Sequence, residues 1–255
     1  MSLNKKNIPA SVLLVIILAG LIYLVFLVKE REEKNNIKMI KVKFAHLLTP
    51  EEYIRHTGLS EITDSDKISL GYIKKKFDEH PYVEKADVLF SSREEVEVRV
   101  KEKVISAYLH RGFDRFLITD EFEVLPVFSE GNYNLPEILN CREENIVETG
   151  KKFFNEDIIT AFRIIEAVKF TNEEMYQKLR EINLNYGGDI IIKFDGFKSP
   201  VIFGKGNEAK KMIYLEILWK GSPKTKNILN QSEAVDLRFS NDIYIKKDLT
   251  TGLTE

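Results

Sequence analysis

The sequence predicts an α+β protein in three parts: an N-terminal transmembrane helix, a unit ordered strand-helix-helix-strand-strand, and a C-terminal β-rich domain with helices on its sheet. Three observations predict it. Ile8 to Val28 is an uncharged apolar run of about 21 residues, which at roughly 1.5 Å per residue matches the ~30 Å hydrocarbon core of a bilayer. Beyond it, short segments alternate apolar and polar residues with the period of two that belongs to strands with one wet face. Between those segments lie stretches with capping residues and a single apolar stripe, which have to bury that stripe on a sheet.

The boundaries follow from these signals: a short N-terminus at 1–7, the span at 8–28, a charged stalk at 29–36, a first domain at 37–104, a second at 105–247 and a loose tail at 248–255. A cleaved signal peptide is the rival for the apolar run, but its core is only ~7–15 residues and ends at a small-residue site. Here Ala19-Gly20 is followed by eight more apolar residues, Leu21 to Val28, so an uncleaved span is expected. Charge does not orient it, because Lys5 and Lys6 on one flank oppose Lys29, Arg31 and Lys34 on the other, the latter mixed with Glu30, Glu32 and Glu33.

Composition excludes several classes. With 38 basic and 40 acidic residues the net charge is −2, so no global field draws nucleic acid, and no nucleic-acid partner is expected. A single cysteine, Cys141, can form no intramolecular disulfide and belongs to no zinc-binding cluster.

In the first domain, Ile40, Val42 and Phe44 alternate with Lys41 and Lys43, predicting a strand at about 37–45. Thr49-Pro50-Glu51-Glu52 supplies an N-cap, a proline at the first helical position and a capping-box glutamate, with Leu48 and Tyr53 spaced as a hydrophobic staple; that helix stops at Gly58. Ser69 caps a second helix, with Ile68 and Ile73 as its staple and Leu70, Ile73 and Phe77 on one face until Pro81. Two strands follow. Ala86, Val88 and Phe90 share a face of the first; Val96, Val98 and Val100 share one of the second, with Glu97, Arg99 and Lys101 as an exposed row opposite, and Ser91 to Glu94 form the turn. This order, with Pro81-Tyr82-Val83-Glu84-Lys85-Ala86-Asp87-Val88 leading to a strand that ends Val100-Lys101-Glu102-Lys103, resembles a POTRA domain. More narrowly, it resembles that of the bacterial cell-division family FtsQ/DivIB.

The second domain continues the pattern. Ile105–Leu109 and Phe116–Thr119 read as strands leading through Asp120-Glu121 to Val124-Leu125-Pro126-Val127, and Leu135-Pro136-Glu137-Ile138 is similar to a step of the same family. A helix capped at Asn155 carries Ile158, Phe162 and Ile165 on one face, and a second begins at Thr171-Asn172-Glu173-Glu174. A three-strand meander is expected next: Ile182, Leu184 and Tyr186 alternating, a turn at Gly187-Gly188, a strand at 189–194, a turn at Asp195-Gly196 and a strand at Val201-Ile202-Phe203. Asn207 is expected to cap a helix with Met212, Leu215 and Trp219 inward. The last strand, Val235-Asp236-Leu237-Arg238-Phe239 running on past Asn241, resembles the family's closing motif.

No catalytic, cofactor or metal site is expected. His46, His56, His80 and His110 stand apart in sequence, and the carboxylate pairs Glu51-Glu52, Glu94-Glu95 and Glu143-Glu144 read as solvated charge. Gly204-Lys205-Gly206-Asn207 lacks the spacing of a phosphate loop, and a helix cap explains it more simply.

The FtsQ/DivIB resemblance implies a single-pass protein of the bacterial cytoplasmic membrane, N-terminus inside and the rest outside at the division septum. It would serve as a non-enzymatic scaffold for partners of FtsB and FtsL type in septal cell-wall synthesis, with no small-molecule substrate. A terminal strand at a sheet edge can accept a partner strand. Phe239, Asn241, Asp242, Ile243, Tyr244, Ile245, Lys246 and Lys247 are the expected partner-binding residues, with Phe239 and Tyr244 as aromatic anchors. Asp236 and Arg238 either pair within the domain or meet the partner. An envelope assembly or chaperone adaptor, which should carry repeated units or a membrane barrel, and a membrane-anchored cell-wall hydrolase, which should carry a convergent catalytic cluster, are the rival readings.

Overall fold

The computed structural model describes residues 10–30, 37–61, 68–128, 133–142, 147–222, 232–239 and 242–247. Most of the expected stalk, residues 31–36, and the whole of the expected N-terminus and tail lie outside them. Helix α1 runs over Ala10–Glu30 and carries Lys29 and Glu30 in its last turn. Among the described residues no helix is long and apolar enough to cross a membrane. The expected transmembrane helix at 8–28 is therefore overturned as part of the fold class, which is α+β with mixed sheets.

The chain divides into two units, Met1–Glu102 and Lys103–Glu255. In the first, β1 (Met39–Lys43), α2 (Pro50–His56), α3 (Leu70–Asp78), β2 (Val83–Phe90) and β3 (Glu95–Glu102) follow in order. The three strands form a sheet ordered β1-β3-β2, with β1 parallel and β2 antiparallel to β3. Local chemistry sets the helices. Thr49 Oγ1 accepts the Glu52 N–H at 3.2 Å while the Glu52 carboxylate accepts the Thr49 N–H at 2.8 Å, a closed capping box. Ser69 Oγ accepts the Tyr72 N–H at 3.1 Å. The stapling residues Leu48, Tyr53, Ile68 and Ile73 are all buried, and Tyr53 and Phe77 meet with ring centroids 6.4 Å apart over a floor of Val42, Val96, Val98 and Val100.

Glu102, the last residue of β3, ties the unit together. Its carboxylate accepts the N–H of His46 at 2.9 Å, the N–H of Leu47 at 3.0 Å and the Tyr53 hydroxyl at 2.6 Å. One side chain thus fixes the loop leaving β1 and the helix that follows to the far end of the central strand. The outer face of the sheet is laced with ion pairs: Lys38 with Glu94 (2.9 Å), Lys41 with Glu95 (3.0 Å), Lys43 with Glu97 (3.0 Å) and Lys101 with Glu84 (2.6 Å). The expected exposed row needs one correction. Glu97 is only 8% exposed, covered by Lys43 and by Arg99 at 2.7 Å, and those two bonds hold its carboxyl below the usual range.

The second unit is built on a nine-stranded mixed sheet. In chain order its strands are β4 (Ile105–Arg111), β5 (Asp114–Thr119), β6 (Val124–Leu125), β7 (Glu137–Leu139), β8 (Leu179–Asn183), β9 (Ile191–Phe194), β10 (Val201–Ile202), β11 (Ser232–Asp236) and β12 (Tyr244–Lys247). Across the sheet they lie β12-β11-β10-β9-β8-β7-β4-β5-β6, with β7 parallel to both β4 and β8 and β10 parallel to β11. Helices α4 (Glu156–Thr171), α5 (Glu173–Lys178) and α6 (Glu208–Trp219) carry Ile158, Phe162, Ile165, Met175, Met212 and Leu215 into one core with Leu109, Ile138, Ile182, Ile192, Val201 and Val235. Asn155 and Asn172 cap α4 and α5 by accepting the Ile158 and Met175 N–H groups at 2.9 and 3.0 Å.

Two expectations in this unit fail for backbone reasons. Tyr186 does not alternate in a strand: β8 ends at Asn183, and Asn185 and Tyr186 both take left-handed conformations in a 3₁₀ turn, Asn185–Gly187. Asn207 does not cap α6 with its side chain. It too is left-handed (φ 57°), and the Glu208 carboxylate instead accepts the Gly206 N–H at 3.1 Å, meeting a donor ahead of the helix with the chain's own anion.

Removing the Glu102 carboxylate orphans two backbone donors and a hydroxyl. Glu102→Ala is expected to lower the stability of the first unit by roughly 2–4 kcal/mol in urea unfolding, with Glu102→Gln intermediate. A loss below about 0.5 kcal/mol would show that the three bonds are replaceable by water.

Candidate interface at the open edge of the large sheet

A sheet ends in strands with one unpaired side, and the two ends of the large sheet differ. At one end, β6 is only two residues long and is covered: the Val124 N–H donates to the Lys151 carbonyl at 3.0 Å, the Gly150 N–H donates to the Val124 carbonyl at 2.7 Å, and Glu123 bridges to Lys152. At the other end, β12 pairs with β11 alone, through Asp236↔Tyr244, Val235↔Ile245 and Ala234↔Lys246. Among the described residues nothing pairs with its far side.

The terminal segment is a hairpin rather than the single strand read from Val235 to Lys247. β11 stops at Asp236, whose Oδ1 accepts the Arg238 N–H at 3.0 Å, a local bond that turns the chain out of the ladder. Phe239 then lies in the connection, Asp242 and Ile243 lead into β12, and Tyr244 to Lys247 form it. Asn241 lies outside the described residues. The turn brings Phe239 and Tyr244 together, edge to face, with centroids 4.7 Å apart. They are 49% and 53% exposed, so the pair forms an apolar knob beside the open edge. Ile243 and Ile245 alternate with Tyr244 and pack on the core, and Lys246 reaches Glu233 on β11 at 2.9 Å.

Asp236 and Arg238 serve the base of this hairpin. The Arg238 guanidinium grips Asp236 with Nε at 3.0 Å and Nη2 at 2.6 Å, and its Nη1 donates to Asp189 at 2.8 Å, just ahead of β9. These are contacts within the unit. The Arg238 bonds hold the Asp236 carboxyl below the usual carboxylate range even though burial opposes them. Gly204 is fitted to the same side chain, because a Cβ there would meet Arg238 Cγ at 2.8 Å and its φ is +65°. Beneath lies a residue the sequence reading missed. Lys211 on α6 is 4% exposed; its Nζ donates to the carbonyls of Phe203 and Lys205 at 2.7 and 3.1 Å, and burial lowers its pKa. Nothing in its sequence neighbourhood distinguishes it from Lys210 beside it.

Elsewhere, His56 and His80 meet with ring centroids 6.0 Å apart, and the buried His80 ring also packs on Tyr53 and Tyr82. His46, His56 and His80 are in the first unit and His110 is in the second, and among the described residues no group of three His, Cys, Asp or Glu side chains could hold a metal. Burial raises the Cys141 thiol, the reverse of what a nucleophile needs. A cavity of about 440 Å³ on the β4–β7–β8 face is lined by Tyr108, Arg115, Tyr133, Glu137, Arg180 and Glu181. Its charges are already matched, Arg115 with Glu137 at 3.4 Å, Arg180 with Asp195 at 2.5 Å and Glu181 with Lys193 at 2.8 Å. Compared with protein-family models and with curated proteins, the chain matches none.

Two outcomes follow from the base of the hairpin. Arg238→Ala is expected to raise amide hydrogen exchange in 232–247 while leaving that of residues 37–102 unchanged; uniform exchange across both segments would show that the clamp is redundant. The depressed Asp236 carboxyl contributes stability above its unfolded value, about pH 4, and that stability is lost as pH falls through the lower folded value. Urea unfolding between about pH 6 and about pH 3 should therefore show a shallower acid loss for Asp236→Asn than for the parent.

Proposed function

We propose that the chain is a non-enzymatic scaffold of the bacterial division machinery, of the FtsQ/DivIB kind, that captures a partner segment by strand addition along β12. The observation that carries the proposal is the difference between the two ends of the large sheet: β6 is covered by the chain itself, while among the described residues β12 pairs on one side only and is flanked by the exposed Phe239–Tyr244 pair. An added strand gains main-chain hydrogen bonds from the edge and side-chain specificity from pockets or knobs beside it. The resemblance carried by Pro81 to Val88, by Val100 to Lys103 and by Val235 to Phe239 supplies the partner class, division proteins of FtsB and FtsL type, and the place, the extracytoplasmic side of the septum. This activity uses no cofactor, nucleic acid or small-molecule substrate.

In a capture assay with the extracytoplasmic segments of FtsB- and FtsL-type proteins, removal of the chain from Asn241 onward should abolish retention while the first unit keeps its unfolding transition. Phe239→Ala with Tyr244→Ala should weaken retention by about tenfold or more, as expected for aromatic anchors. Full retention by the truncated chain would sink the strand-addition reading. A fluorescent fusion is expected to gather at midcell, and uniform envelope fluorescence in dividing cells would count against the divisome reading.

A further inference from the structure

Strand β2 is the long edge of the small sheet, eight residues against five for β1, and its free side is occupied in an unusual way. In an antiparallel ladder, successive residues turn their N–H and C=O alternately toward the neighbour and away from it. Ala86 is of the outward kind, and both of its backbone groups are met by one helix. The Ala86 N–H donates to Asp78 Oδ1 at 2.8 Å, and its carbonyl accepts from Lys74 Nζ at 2.6 Å. Lys74 also donates to Asp78 Oδ2 at 2.8 Å, so the two side chains of α3 present to Ala86 an acceptor and a donor where a neighbouring strand would place its own.

The pair is poorly placed for the helix itself. Asp78 is the last residue of α3, where the helix dipole disfavours a carboxylate, and lysine four residues before an acid is the weaker order of an i,i+4 pair. Burial raises the Asp78 carboxyl, but the bonds from Lys74 and from the Ala86 N–H outweigh it and hold the group below its ordinary value.

The sequence around Ala86 is self-complementary. If a second β2 lay antiparallel with Ala86 opposite its own copy, Lys85 of each strand would face Asp87 of the other, in the non-hydrogen-bonded positions where side chains come closest. Lys85 and Asp87 are 63% and 64% exposed and pair with each other at 3.3 Å. We infer that β2 is a latent self-pairing edge centred on Ala86, that its partner is a second copy of this chain, and that Lys74 and Asp78 are the guard that keeps it closed. The isologous symmetry of such a pair makes every contact count twice.

The test is sedimentation velocity on the full chain over a concentration series, with circular dichroism and thermal melts to establish folding. Lys74→Ala with Asp78→Ala should self-associate more tightly than the parent. Adding Lys85→Asp, which sets like charges opposite each other twice, should weaken that association by about tenfold. Adding Asp87→Lys to the last variant should restore it. Lys74→Met leaves the Asp78 bond to the Ala86 N–H in place and serves if the double variant does not fold; it too should associate more tightly than the parent. A folded guard variant that associates no more than the parent overturns the inference, and so does an association indifferent to the charges at 85 and 87.

Discussion

Among the described residues two sheets present four strand edges, and the need to finish each of them organises the structure around it. An edge presents a row of donors and acceptors that water can satisfy but another strand satisfies better. β1 is short, and its outward lysines are drawn back onto Glu95 and Glu97. β2 is met in its middle by Lys74 and Asp78, and β6 is cut to two residues and overlaid by residues 150–153. Among the described residues β12 receives no such treatment, and it is the edge on which the proposed strand addition rests.

The residues that stabilise each unit most economically are charged side chains aimed at backbone groups. Glu102 gathers two N–H groups and a hydroxyl at the end of β3; Asp157, in the first turn of α4, takes the Arg142 N–H at 3.0 Å and its guanidinium at 2.7 Å. In both cases a carboxylate joins segments distant in sequence, and charge-assisted bonds of this kind are about twice as strong as neutral ones. Burial raises the Asp157 carboxyl, but the Arg142 bonds prevail and hold it below its ordinary value. Exposed pairs such as Lys75 with Glu79, at 3.8 Å, add little by comparison.

What was legible in the sequence is what is decided locally. The capping box at Thr49, the caps at Ser69, Asn155 and Asn172 and the turn from Ser91 to Glu94 each depend on residues within four positions, and the structure forms them as read. Asn207 shows the limit: the residue type suits a cap, but a left-handed backbone between Gly206 and Glu208 points its side chain elsewhere. The span at 8–28 was read from apolarity and length along the whole run, and the described residues give no helix that meets both. The parallel neighbours β4, β7 and β8 are joined by long crossovers, and no turn signal announces such pairings. At the candidate interface the sequence marks the residues of β12 but not the hairpin, because the hairpin hinges on the bond from Arg238 N–H to Asp236, which an extended reading of Val235 to Phe239 conceals. Lys74 and Asp78 have the spacing of an ordinary i,i+4 pair, and only the fold sets Ala86, eight residues beyond Asp78, against them.

The proposed strand addition along β12 sets what a partner would have to bring. β12 is four residues long, and in a ladder only about half of its backbone groups face outward. At roughly 0.5–1.5 kcal/mol net per hydrogen bond, so few bonds cannot offset the several kcal/mol lost on association. The deficit would have to be made up beside the strand, where truncating a buried aromatic anchor typically costs about 2 kcal/mol or more. Phe239 and Tyr244 are the exposed aromatics placed there, and the Asp236–Arg238–Asp189 clamp fixes the turn that brings them together. In the proposed strand addition, affinity would therefore reside in the aromatic knob and direction in the strand, and the clamp, although it points inward, would couple the two.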